Sequence, residues 1–305
     1  MGGPGVAEPN TTHALAFALF QQLYRRDTLA PVATSPLRRL SHGAENLYQT
    51  GVFLAADVVL RCLSRRRRLA YHEVQETVVA LDYPGAPLRL KIRSTRELKR
   101  TLSCAKEPET IRWMEANLRP GDTFYDAGAN VGAYSLVASH LVGPLGCVVS
   151  FEPGAPSFSA LVCNIGLNGC ANIVPLAFAL GSEHRRSTLD YPSALAGETT
   201  VGGSESTGLS QVVCCAPLDS LIETYQLPAP RLIKIDVDGA EPEVLRGATK
   251  TLAHPGLISV LFEAYPDTPT HMDTAGLLEA AGFRQVEANS HGTGRVTNYV
   301  YRRPD

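Results

Sequence analysis

The residues best placed to do chemistry lie in FYDAGANVGAYSLVAS, residues 124–139, where an apolar strand runs into Asp126 and a small-residue loop. Gly128, Ala129 and Gly132 let a ligand approach the backbone, and Asn130 sits between them. The free N–H groups of the following helix face whatever rests on that loop. Twenty-six residues after Asp126, the apolar run CVVSFEP carries Glu152. That is close to the ~20-residue gap at which a nucleotide fold places a carboxylate against ribose hydroxyls. The pairing predicts a nucleoside site on an open α/β sheet.

The loop also selects among nucleosides. A dinucleotide site needs G-x-G-x-x-G to crowd against a pyrophosphate, whereas the order here is Gly128-x-Asn130-x-Gly132 behind an acidic residue. A carboxylate repels pyrophosphate and suits an ammonium group. S-adenosylmethionine carries an ammonium, a sulfonium and no phosphate, so it is the expected cofactor, ahead of NAD. No G-x-x-x-x-G-K-[ST] phosphate loop occurs.

A second constellation is LIKIDVDGAEPEVLRGA, residues 232–248. Lys234 and Asp236 lie two apart on a strand and therefore share a face. Asp236 ends that strand, on the side where open α/β sheets place ligands. Asp238 and Glu241 have the spacing of a helix capping box, Asp238 as N-cap and Glu241 three residues on. DVDG resembles part of a calcium loop, but the remaining ligand positions are absent.

Several elements must hold these residues in place. Strands are expected near 123–126, 147–151, 172–177, 231–236 and 257–263, with helical segments between them, an alternation that implies a mostly parallel sheet. Residues 74–93 read as a hairpin around Tyr83-Pro84-Gly85, 107–118 as a helix, and 274–281 as a helix stopped by Gly282. Residues 283–287 and 297–302 fit a terminal antiparallel pair, and 182–210, rich in Ser, Thr, Gly and Glu, reads as a long inserted loop. Upstream, 12–24 and 45–64 have helical apolar spacing. The Arg65–Arg68 run reads as a solvated helix end, with a peripheral contact to anionic lipid as the less favoured alternative.

The balance of 28 basic and 30 acidic residues in 305 argues against a nucleic-acid partner. Seven cysteines at irregular spacing, with no C-x-x-C, point to reduced buried thiols in a cytoplasmic protein. No signal peptide is readable, and the apolar run 51–63 is interrupted by Asp57 and Arg61 and falls short of a membrane span. The eight histidines form no H-x-E or H-E-x-x-H group, and His254 and His271 read as polar loop residues.

DAGANVGAYSL (126–136), FEP (151–153), Asn164 with LNG (167–169), PLDSL (217–221), KIDVDGAE (234–241) and LFE (261–263) together resemble the FkbM-type S-adenosylmethionine-dependent methyltransferases. The likeness covers about residues 120–265, and Asp238 stands where the family usually has Glu. It implies an α/β, Rossmann-like class I methyltransferase fold: a mostly parallel seven-stranded sheet with helices on both faces. The division expected is a helical extension and hairpin over 1–100, meeting substrate or partner, and a methyltransferase domain over 101–305. The family transfers methyl groups, usually to hydroxyls of polyketides, saccharides and glycolipids.

Carried onto this chain, cofactor contacts fall to Asp126, Gly128, Ala129, Asn130, Gly132, Glu152 and Pro153, with adenine near Ala179. Asp236 is the expected proton acceptor, Lys234 its neighbour, and Glu263 the second candidate. Asp236 with Glu263 could instead hold Mg²⁺. The acceptor is a small molecule or saccharide. Two readings compete with O-methylation. N-methylation of a small molecule or macromolecule lacks its Asn/Asp-Pro-Pro-Tyr motif after the fourth strand. The other is an adenosylmethionine-binding scaffold without activity.

Overall fold

The computed structural model describes residues 77–191, 209–291 and 296–304. The helical patterns at 12–24 and 45–64, the Arg65–Arg68 run and most of the 182–210 insertion lie outside those residues.

The described residues open on a hairpin, β1 (Thr77–Ala80) and β2 (Arg89–Ile92), followed by α1 (Thr95–Arg100), α2 (Ser103–Lys106) and α3 (Pro108–Asn117). Then come β3 (Thr123–Ala127), α4 (Ala133–Val142), β4 (Cys147–Phe151), α5 (Ala155–Asn168) and β5 (Ile173–Leu176). A small sheet is built from β6 (Ala179–Leu180), β7 (Arg185–Tyr191) and β8 (Leu209–Ala216). The remainder is α6 (Leu218–Tyr225), β9 (Leu232–Ile235), α7 (Glu241–Arg246), α8 (Thr249–Ala253), β10 (Ser259–Ala264), α9 (Pro269–Ala280), β11 (Arg284–His291) and β12 (Val296–Arg302).

Seven strands form the central sheet in the order β11-β12-β10-β9-β3-β4-β5, with β12 antiparallel to both of its neighbours. The chain leaves β3 toward β4 and β5, then returns to the other side of β3 through β9. A topological switch therefore lies between β3 and β9, and such a switch opens a crevice at the strands' carboxyl ends. Parallel register sets Asp126 opposite Lys234 and Ala127 opposite Ile235.

Strand alternation sends Phe124, Val148, Leu232 and Leu261 into one core and Tyr125, Val149, Ile233 and Phe262 into the other. The first core also takes Leu81, Tyr83, Leu88 and Leu90 of the hairpin region, beside Trp113 and Met114 of α3. Asn164 ties hairpin to loop: its Oδ1 accepts the Lys91 N–H at 2.8 Å and its Nδ2 donates to the Val131 carbonyl at 2.8 Å. Asn168 likewise accepts the Arg89 N–H at 2.9 Å and donates to the Arg89 carbonyl at 2.7 Å.

Three expectations are corrected. The inserted segment 182–210 is not all loop, because Arg185–Tyr191 pairs antiparallel with Leu209–Ala216. Its apolar positions, Leu189, Tyr191 and Val213, meet in a small buried cluster, which the polar composition had hidden. The helix expected at 274–281 begins at Pro269, since Thr268 Oγ1 caps it by accepting the His271 N–H at 3.2 Å. His271 is thus helical, its ring stacked on Tyr299 at 4.2 Å between centroids. Of six described cysteines, only Cys104 and Cys215 are buried, and Cys214 is exposed. Among the described residues no helix is long and apolar enough to cross a membrane.

Candidate active site

A cleft of about 240 Å³ opens at the carboxyl ends of β3, β4 and β9. The loop after β3 forms its floor. Gly128, Asn130 and Gly132 all have left-handed φ angles, of 83°, 51° and 90°. Gly128 is there because a Cβ at that position would lie 1.8 Å from the Asp236 carbonyl oxygen. That close approach binds the first signature to the second, and the Asp236 N–H completes it by donating to the Ala127 carbonyl at 3.0 Å.

Glu152 extends from β4 into the cleft wall. Its Oε2 accepts the Asn130 N–H at 2.9 Å and its Oε1 the Gly154 N–H at 2.7 Å. Burial pushes the Glu152 carboxyl up to about 7, despite those two bonds, which favour its charge. Asn130 Oδ1 is buried without a partner, an acceptor waiting for a donor.

Asp126 is wholly buried under the loop and does not line the cleft. Its Oδ2 accepts from Ser135 Oγ at 2.6 Å, and Ser150 donates in turn to Ser135 at 2.8 Å. Burial raises its pKa, with the Lys234 charge opposing. Pro153 and Ala179 line the cleft, as do Ala129, Phe178, Leu180 and Leu189.

Lys234 is buried to 1% exposure, its Nζ 2.9 Å from Asp236 Oδ2 and 4.8 Å above the Tyr134 ring. Burial alone would lower its pKa, but Asp236, Asp126 and Glu107 outweigh it and hold the ammonium above its ordinary range. Asp236 shows the reverse: despite desolvation, the Lys234 charge and hydrogen bond keep its carboxyl well below the usual carboxylate range. Glu263, from the end of β10, lies beside Asp236 in the same cleft. Among the described residues no group of three or more His, Cys, Asp or Glu side chains is arranged to hold a metal ion.

The expected capping box does not form. Ala240, not Asp238, is the N-cap of α7 and makes no side-chain bond. Glu241 turns back and its Oε1 accepts the Val237 and Gly239 N–H groups at 3.2 and 3.1 Å. Asp238 stands exposed at the cleft in a left-handed conformation, φ 53°.

Sequence reasoning missed the groups behind Lys234. Glu107, buried at the start of α3, takes Lys106 at 2.7 Å and Asn298 Nδ2 at 3.2 Å, and hydrogen-bonds Tyr134. Burial works against its charge, but Lys234 and Lys106 lower its pKa on balance. KEPETIRWM, residues 106–114, was the available signal, its two glutamates too polar for an ordinary buried helix start. Arg100, Ser103, Arg185 and Ser187 also line the cleft, from elements with no motif.

A doubly wound sheet with one reversed strand, a glycine loop at its switch point and a carboxylate one strand over define a Rossmann-like class I methyltransferase dependent on S-adenosylmethionine. The chain belongs to the methyltransferase FkbM domain family, matched over residues 126–285. It is 28% identical over 186 residues to a hexuronic acid methyltransferase, AglP, of Haloferax volcanii, covering 61% of this chain and 74% of that one. It is also 28% identical over 198 residues to the 31-O-demethyl-FK506 methyltransferase FkbM of Streptomyces tacrolimicus, covering 55% and 75%. Similar solved structures include a precorrin-6y C5,15-methyltransferase of Geobacter metallireducens, with a TM-score of 0.42 and 14% identity over 64% of this chain and 87% of that one. An S-adenosylmethionine-dependent O-methyltransferase of Thermotoga maritima aligns with a TM-score of 0.42 and 12% identity over 71% and 74%.

Proposed function

We propose that this protein methylates a hydroxyl oxygen of a saccharide, glycolipid or polyketide-type small molecule. The observation that carries the reading is the carboxylate wall of Asp236, Asp238 and Glu263, set in one cleft with Glu152 and the Gly128–Gly132 loop. An acceptor hydroxyl has a proton to place and hydrogen bonds to make, and carboxylates serve both needs. The names of two relatives, acting on hexuronic acid and on 31-O-demethyl-FK506, agree with it.

The residues present suit S-adenosylmethionine. When bound, it supplies an electrophilic methyl group. Glu152, with both oxygens braced by backbone N–H groups, presents its remaining lone pairs to a vicinal diol. Asn130 Oδ1 offers an unpartnered acceptor for an ammonium group. Phe178, Leu180 and Leu189 give the purine an apolar wall near Ala179. Asp126 acts from below, holding α4 to the sheet through Ser135. Lys234 fixes Asp236, and Asp236 with Glu263 orients the acceptor hydroxyl. Alignment of this kind supplies much of the acceleration of a displacement reaction.

We also assign residues 1–100 to acceptor or partner recognition and residues 101–305 to methyl transfer. Two experiments test the function. Calorimetric titration should give micromolar S-adenosylmethionine binding, no NAD binding, and loss of binding in Glu152→Ala. Tritiated-methyl transfer to methyl glycosides of hexuronic acids and hexoses, and to polyhydroxylated macrolides, tests the acceptor class. Binding without transfer to any hydroxyl, with transfer to amines instead, would overturn O-methylation.

A further inference from the structure

The backbone of Asp238 helps to form the turn Val237–Ala240, but its side chain takes no part in holding that turn. The turn Val237–Ala240 is held by Glu241, whose carboxylate takes the Val237 and Gly239 N–H groups. The helix cap falls to Ala240. The Asp238 carboxylate makes no hydrogen bond or ion pair with any described residue, yet its backbone is left-handed at φ 53°. Gly239 beside it is also left-handed, at φ 101°, and Asp-Gly is a favoured pair for a turn with two positive φ angles. The turn projects this unpartnered carboxylate at the cleft that Asp236 and Glu263 also line.

The neighbours of Asp238 divide the work. Asp236 is paired with the buried Lys234 ammonium at 2.9 Å, which keeps its proton affinity low. Asp238 has no such cation in contact. Partial desolvation and the charges of Asp236, Glu263 and Glu241 push its carboxyl up to about 6, opposed by Arg100. Because its side chain is exposed, the crowding of like charges matters more here than desolvation. Two carboxylates whose proton affinities are driven apart are the pattern of an acid–base assignment.

We propose that Asp238, rather than Asp236, takes the proton from the acceptor hydroxyl during methyl transfer. The proposal rests on the O-methyltransferase reading. The hydroxyl proton passes to an Asp238 oxygen while the O–H electron pair stays on the acceptor oxygen. That oxygen forms the new bond to the methyl carbon as the carbon–sulfur bond breaks and its pair remains on sulfur. Asp238 then releases the proton to water at the open cleft. Asp236, fixed by Lys234, is a positioning residue that orients the same hydroxyl.

The test uses full-length wild type, Asp238→Asn and Asp238→Glu with methyl β-D-glucuronide as acceptor. Asp238→Asn should lower kcat/KM ~10²- to 10³-fold and remove the acidic limb of its pH profile. Its adenosylhomocysteine affinity should stay within about twofold by calorimetry, and Asp238→Glu should restore most of the rate. Retention of the wild-type rate and limb in Asp238→Asn would overturn the proposal. A second readout needs no acceptor: ¹³C-carboxyl NMR of the adenosylhomocysteine complex, with the signal assigned by its loss in Asp238→Asn. A midpoint near 6 supports the assignment, and titration in the ordinary aspartate range overturns it. Failure of wild type on every hydroxyl would instead sink the O-methyltransferase reading while leaving cofactor binding intact.

Discussion

Glu152 links cofactor affinity to pH, and the link has a predictable sign and size. Its folded-state carboxyl sits at about 7, raised from 4.5 chiefly by burial. At pH 8 roughly nine-tenths of the protein carries the carboxylate and at pH 6 roughly one-tenth, by simple titration. Ribose hydroxyls donate hydrogen bonds, so they prefer the carboxylate. Affinity should therefore rise ~10-fold, about 1.4 kcal/mol, from pH 6 to pH 8. Stability runs the other way. A raised folded value means that the contribution of Glu152 is complete below pH 4.5 and lost as pH rises through about 7. The unliganded fold should give up about 3 kcal/mol between pH 4.5 and 8, of which about 1.4 kcal/mol falls in the window where the site gains affinity. The assay is calorimetric titration with 5′-methylthioadenosine, which has the ribose and purine but no titrating amino-acid group. Glu152→Gln is the control, with a known complication. Two backbone N–H groups bond separate oxygens of Glu152, and a glutamine has only one oxygen. One N–H is left facing an amide NH₂, at a cost of about 1–3 kcal/mol. Melting curves must accompany the titrations so that this loss is not counted as lost affinity. A flat affinity between pH 6 and 8, or a slope that persists in Glu152→Gln, would refute the reasoning.

Other perturbations have equally definite outcomes. Gly128→Ala places a Cβ 1.8 Å from the Asp236 carbonyl at a φ of 83°, so it should abolish cofactor binding and lower the melting temperature. Lys234→Met removes the cation facing Asp236, Asp126 and Glu107. It should destabilise the fold by about 3 kcal/mol in denaturant titration, with the loss growing as pH rises and those carboxyls ionise. Asn164→Ala leaves the Lys91 N–H and Val131 carbonyl unpartnered. A cost of about 1–3 kcal/mol, with faster exchange of the Lys91 amide by hydrogen–deuterium exchange, is expected.

What was legible in the sequence was whatever is encoded locally. The β3 loop and the β4 carboxylate are readable because a left-handed turn demands glycine and a strand demands an apolar run, both within one short segment. Lys234 and Asp236 were paired correctly, since a period of two needs no tertiary information. Asp238 and Glu241 show where such reasoning stops. Their spacing fits a capping box, but α7 begins at Glu241 itself, three residues after Asp238, and Glu241 takes the Val237 and Gly239 N–H groups instead of that of Asp238. Glu107 was invisible for a different reason. Apart from its neighbour Lys106, its partners Tyr134, Lys234 and Asn298 are scattered across the chain and meet only when α3 packs over the sheet. Residues of this second kind fix how the first kind behave. A lysine buried to 1% exposure stays charged because three carboxylates from three separate segments surround it. With Lys234 held charged, Asp236 is held ionised with a low proton affinity, and the proton-accepting role we propose falls to Asp238, which has no cation in contact.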